Sequence, residues 1–217
     1  IADNIGIQQY IHNEYNRESE FIAYGAVDVK QPSASCLSKY GLNTDNYLLS
    51  IARLEPENNL EMMFDAYVKS GIKIPYCVVG KHLTSYGDFL KDKYRDKGII
   101  FLGGIFNKGD LDNIRYYSAC YLHGHSVGGT NPALLEAMAA QTFIFAHDNK
   151  FNKSVVINNA FYFDSASKLA ELLKDKEIIK NKNSFIKNNL IRIDEAYRWS
   201  IVVNQYESYF KRILDNK

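Results

Sequence analysis

The stretch Gly124-His125-Ser126-Val127-Gly128-Gly129-Thr130-Asn131-Pro132 holds the residue types best suited to an anionic ligand. Glycines in a turn leave successive backbone N–H groups unshielded, and a helix starting near Pro132 adds partial positive charge. Thr130 and Asn131 add polar side chains, and Glu136 lies one turn into that helix, where a carboxylate can accept both hydroxyls of a ribose. A glycine pair just after a buried strand also points to a partner in close approach. The plainer alternative is a tight turn followed by a surface Glu. Arg53 ends another apolar run, and its planar guanidinium can grip two phosphate oxygens at once. Its plainer alternative is a surface arginine paired with Glu55 or Glu57.

Other chemistries are excluded or weak. No GxGxxG follows any strand candidate, and Gly80-Lys81 lacks the upstream glycine and following Ser/Thr of a P-loop. Ser126 stands outside a GxSxG elbow, which argues against a hydrolase. His123 and His125 have no third ligand at useful spacing, so they read as hydrogen-bonding residues and not as a metal pair. His82 and His147 also follow strand candidates and could line the same cleft, whereas His12 reads as surface.

These residues need strands and helices to position them. Short runs that are apolar throughout occur at Phe21–Ala23, Tyr47–Ala52, Tyr76–Gly80, Ile99–Leu102, Cys120–His123, Phe143–Ala146 and Phe161–Phe163. Continuous apolar runs mark strands buried on both faces, the habit of a parallel sheet covered by helices. Between them, Leu60, Met63, Phe64 and Tyr67 repeat at helical spacing behind a cap at Asn58 or Asn59. Leu111, Ile114, Tyr117 and Ser118 form a second apolar face after Asp110, and Pro132 suits a first helical turn. The expectation is an α/β fold, a doubly wound, Rossmann-like parallel sheet of about six strands with helices on both faces.

At 217 residues, with 46% hydrophobic and 24% charged residues, the chain can bury a sizeable core. A net charge of +1 gives no electrostatic case for nucleic acid. No apolar run approaches the ~20 residues of a membrane span. The 3 cysteines lack CxxC pairing, which speaks for a reducing compartment and against a disulfide framework. Residues 4–15 read as a lead-in helix, and residues 197–214 as a terminal helix whose apolar face is wide enough to need a cover. The chain opens at Ile1 without a Met or a signal segment and reads as a piece of something longer.

Two stretches carry a family resemblance. Ser50–Asn59, SIARLEPENN, resembles the GRL-x-PEKN stretch of glycosyltransferase family 4, and Gly128–Ala139, GGTNPALLEAMA, resembles that family's EGFGLPxLEAMA signature. FLG at 101–103 and Ala119–Leu122 fall in the family's order, and the likeness runs over about the whole chain. SVGGTNPALLEAMA, with FIAYGA at 21–26 and AHDNKFN at 146–152, is similar to the rhamnosyltransferase-like branch of polysaccharide biosynthesis.

The resemblance implies that residues 1–217 are the C-terminal, donor-binding domain of a GT-B enzyme. Such an enzyme would be a retaining glycosyltransferase, moving a sugar such as rhamnose from a UDP-, GDP- or dTDP-sugar to a glycan or lipid-linked acceptor. It implies that Arg53 contacts the diphosphate as the catalytic group, that the backbone of Gly129, Thr130 and Asn131 cradles the distal phosphate, and that Glu136 holds the ribose. Gly103, Gly104 and Ile105 would receive the base through main-chain contacts, and Lys81, His125, Val127 and Gly128 are further candidates for sugar or phosphate contacts. It implies no cofactor and no metal, with electrostatic stabilisation of the departing diphosphate. The acceptor-binding N-terminal domain would lie outside this chain, leaving the isolated domain inactive. The expected setting is cytoplasmic, with any peripheral contact to the inner membrane face made through that other domain.

Two positions depart from the pattern. The family's Lys partner to Arg53 falls at Asn58, so a phosphate charge is missing or comes from elsewhere, with Lys81 the candidate. Its first Glu falls at Gly128, so sugar recognition must differ. Two rivals therefore stand beside transfer: a GT-B sugar-nucleotide epimerase, and a non-catalytic nucleotide-sugar or protein-binding domain.

Overall fold

The computed structural model describes residues 1–30 and 32–215. Gln31, Asn216 and Lys217 of the expected 1–217 domain lie outside the described residues. Helix α1 spans Ile5–Tyr15 behind Asn4, whose side chain accepts the Gly6 amide at 2.8 Å. After a 3₁₀ segment at Ala34–Tyr40 come β1 (Leu48–Ile51), α2 (Leu60–Ser70), β2 (Tyr76–Val79), α3 (Ser85–Lys93), β3 (Ile99–Gly103), α4 (Lys108–Tyr116) and β4 (Cys120–His123). There follow α5 (Pro132–Ala139), β5 (Ile144–His147), α6 (Lys150–Val156), β6 (Phe161–Phe163), α7 (Ala166–Lys174), α8 (Lys182–Arg192) and α9 (Trp199–Asp215). A π-helical turn at Ile193–Tyr197 joins the last two.

All 6 strands are parallel, in the order β3-β2-β1-β4-β5-β6. The order reverses between β1 and β4, which is the switch point where open α/β sheets bind ligands. Alternate residues of β2 face opposite cores. Tyr76 and Val78 pack with Leu60, Phe64 and Leu169 from α2 and α7, while Cys77 and Val79 pack with Ile114, Leu134 and Val155 from α4, α5 and α6. Burial on both faces is why the strands read as unbroken apolar runs.

Three details differ from the sequence reading. Phe21–Ala23 is no strand: Phe21 makes only an isolated parallel bridge to Ala2, and Ile22 and Ala23 are buried by packing outside the sheet. α4 starts ahead of Asp110 because the Asn107 side chain accepts the Asp110 amide at 2.9 Å. Asn59 holds the cap position of α2 in a left-handed conformation (φ 51°), but its side chain donates to the Gly124 carbonyl at 2.8 Å instead of capping.

Candidate functional site

The switch point opens as a cavity of about 240 Å³ lined by Arg53, Asn58, His123, His125, Asn131 and Pro132, among others. Arg53 reaches it from the loop after β1, with its side chain mostly exposed and 3.7 Å from Glu57 Oε1. A solvated pair at that distance holds the guanidinium only weakly. Of the two sequence readings, the structure shows the pairing with Glu57, while the guanidinium also lines the cavity.

Between β4 and α5 the glycine-rich turn is fastened on three sides. The Ser126 amide and hydroxyl both donate to the Glu57 carbonyl, at 3.1 and 3.0 Å. Asn149 and Asn152, at the start of α6, each donate to the His125 carbonyl at 3.0 Å. On the third side the Thr130 hydroxyl donates to the Asp3 carbonyl, and Asn4 Nδ2 donates to Thr130 Oγ1 at 3.3 Å. Gly124 permits the close seating, since a Cβ there would lie 2.2 Å from the Asn58 carbonyl oxygen.

So fastened, the turn keeps its own amides unused. The N–H groups of Val127, Gly128, Gly129, Thr130 and Asn131 donate to no group among the described residues. The first amide of α5 differs: Asn131 Oδ1 accepts the Ala133 amide at 2.9 Å, and Pro132 has none to offer. The cradle is thus built from the turn itself. Thr130's hydroxyl and Asn131's carbonyl oxygen, expected as extra polar contacts, are committed to holding it.

Asn58, at the expected Lys position, is buried and structural. Its Nδ2 donates to the Arg53 carbonyl at 2.8 Å and its Oδ1 pairs with His125 Nδ1 at 2.8 Å, which ties the arginine loop to the glycine turn. His123 is buried behind them, and its Nε2 has no partner among the described residues. Burial, with His125 and His147 nearby, depresses its pKa to about 3, and burial lowers His125 and His147 as well. Among the described residues no group of three or more His, Cys, Asp or Glu could hold a metal ion.

Glu136 brings in a residue the sequence reading missed. The fully buried Arg115 of α4 donates from its terminal nitrogens to Glu136 Oε2 and, at 3.3 Å, to Asp112 Oδ1. Arg115 stands four residues after Leu111 on the apolar face of α4, and a cation on such a face was the available signal. Among the described residues Glu136 Oε1 has no protein partner, whereas Oε2 accepts from Arg115.

The remaining candidates lie farther along the strand ends. Gly103 (φ 75°) ends β3, and Gly104 and Ile105 follow it, with the exposed Phe106 beside Gly104. Lys81 follows β2, is exposed, and forms no ion pair among the described residues. His82 stacks on Phe101 with ring centroids 6.1 Å apart, and His12 pairs with Glu18 at the surface. Val127 is 61% exposed at the tip of the turn, next to Gly128 (φ 99°).

A six-stranded, doubly wound sheet with a glycine-rich turn at its switch point defines a Rossmann-like domain of the GT-B type. The chain belongs to the family Glycosyl transferases group 1, whose model matches residues 38–191. Among solved structures it is similar to a glycosyltransferase from Rickettsia africae, with a TM-score of 0.88 at 14% identity over 100% of this chain and 63% of that one. HepE from Anabaena, in complex with UDP, superposes with a TM-score of 0.82 at 15% identity, over 99% of this chain and 63% of that one. Sucrose-phosphate synthase from Thermosynechococcus elongatus gives 0.77 at 15% identity, over 99% and 58%. The chain spans less than two thirds of each of these proteins, and at such identities the likeness is one of fold. No curated protein sequence matches it. No helix among the described residues is long and apolar enough to cross a membrane.

Proposed function

We propose that this chain is the donor-binding half of a retaining glycosyltransferase that takes a nucleoside-diphosphate sugar. The observation that carries the reading is the run of unused amides from Val127 to Asn131, in the turn whose two ends, His125 and Asn131, line the switch-point cavity together with Arg53. Fixed N–H dipoles and a mobile guanidinium stabilise a diphosphate as it takes up charge on leaving the sugar, without reorganisation at the moment of reaction. In this reading Glu136 accepts a ribose hydroxyl with its one spare oxygen, and the main chain at Gly104 and Ile105 meets the base at the β3 end.

The cavity of about 240 Å³ is smaller than the ~300–1,000 Å³ of a complete ligand pocket. A second wall fits this size, and an acceptor-binding domain preceding Ile1 would supply it. α9 exposes Trp199, Val203, Phe210 and Leu214, the face on which such a domain would rest. Rhamnose as the sugar and a glycan or lipid-linked acceptor rest on the sequence resemblance alone. Because the similar HepE structure holds UDP, that nucleotide is the first to test. Calorimetric titration of the chain with UDP, GDP and dTDP tests the reading. Saturable binding of at least one is expected, and no binding by any would overturn it.

A further inference from the structure

We propose that Asp3 is a specificity residue of this site, its carboxylate accepting hydrogen bonds from hydroxyls of the sugar carried on the donor; the inference rests on the donor-binding reading above. The segment before α1 is held from both directions. The Ala2 amide donates to the Glu20 carbonyl at 2.7 Å, and the Ile22 amide to the Ala2 carbonyl at 3.0 Å. Asp3's own carbonyl takes the Thr130 hydroxyl, and Asn4 Nδ2 donates to Ser154 Oγ at 2.9 Å. Those bonds place the Asp3 side chain against the glycine-rich turn. A Cβ added at Gly129 would lie 2.1 Å from Asp3 Oδ1 and 2.6 Å from Oδ2. A side chain at this position would therefore displace the Asp3 carboxylate.

That carboxylate has no hydrogen bond and no ion pair among the described residues, although it is partly buried and its backbone is fixed. A partly exposed anion held this way is open to water, and hydroxyl donors of a ligand can take the place of that water. A phosphate cannot, because it would add like charge beside it. Hydroxyl groups can. On its far side Asp3 lines a hollow of about 260 Å³ with Ile7, Ile22, Tyr24 and Tyr206, so there is room and an aromatic surface next to the carboxylate. Asp3 thus stands beside Gly129, next to the expected Glu position at Gly128 and against the amides that would hold the diphosphate. The sugar of a nucleoside-diphosphate sugar is bonded directly to its distal phosphate.

The test compares wild type with Asp3→Asn by calorimetry, on the matched pairs UDP and UDP-glucose, GDP and GDP-mannose, and dTDP and dTDP-rhamnose. For the pair that wild type binds, the variant should hold the free diphosphate within about twofold and bind the sugar nucleotide roughly tenfold more weakly, the scale of one charged hydrogen bond. Retained diphosphate binding also shows that the variant is folded. Equal loss on both members of the pair would make Asp3 a structural residue and overturn the inference. So would an unchanged sugar-nucleotide affinity, or a wild type that gains nothing from the sugar. If wild type binds no diphosphate at all, the donor-binding reading itself fails, and this inference falls with it.

Discussion

With Arg115 on Glu136 Oε2 and Asp112 Oδ1, the candidate ribose carboxylate is held from beneath by a cation that water does not reach. Glu136→Gln keeps the shape and removes the charge; it should weaken nucleoside-diphosphate binding by about 1–3 kcal/mol and also lower stability, because the buried Arg115 keeps only its Asp112 carboxylate. Arg115→Met should do both kinds of damage. Breaking a buried pair from one side costs about 3 kcal/mol in urea unfolding, and the released Glu136 should bind ligand as poorly as the Gln variant does. Full stability in Arg115→Met would show that the pair is idle. His123 sets a pH dependence. Its folded pKa of about 3 lies below the ordinary 6.5, so the unfolded chain takes the proton first. The contribution of neutral His123 is complete above pH 6.5 and is lost as the pH falls toward 3, by up to ~1.4 kcal/mol per pH unit. His123→Gln should flatten the stability profile between pH 6.5 and 4, and a slope identical to wild type would contradict the assignment.

At the scale of elements, the site depends on how closely two loops meet, the one after β1 and the one after β4. Gly124→Ala would push a methyl to 2.2 Å from the Asn58 carbonyl oxygen and 2.7 Å from Met63 Cε. A drop of about 1–3 kcal/mol in unfolding free energy is expected, and an unchanged melting curve would mean that the loops separate freely. The sequence made most of this layer readable. Strands buried on both faces show as unbroken apolar runs, and Pro132 stands at the first position of α5, where proline fits a helix start. Phe21–Ala23 misled because close packing outside a sheet selects the same residue types as a strand. Arg115 and Glu136 were not connected because their meeting depends on how α4 lies against α5, which no spacing rule encodes. Asp3 went unnoticed for the same reason, since its neighbour Gly129 is distant in the chain.

At the scale of the whole molecule, α9, the last element among the described residues, does little for the core. Within α9 only Val202 is fully buried, while Tyr197, just before it, is 2% exposed and belongs to the core. Arg198 also pairs with Asp28 at 2.9 Å. A truncation that tests α9 should therefore fall after Arg198, two residues beyond the point the apolar pattern suggested. The shortened chain should fold and keep its diphosphate affinity, as a docking helix allows; unfolding would place α9 in the core and remove the surface offered to an acceptor domain. The central claim is narrower, that the amides from Val127 to Asn131 bind a diphosphate. Backbone amide NMR during titration with UDP, GDP and dTDP addresses it most directly. The account predicts that, for a nucleotide that binds, the largest shifts fall on Val127–Asn131, together with the Arg53 side chain. Saturable binding that leaves those amides unmoved, with its shifts gathered elsewhere on the chain, would contradict it.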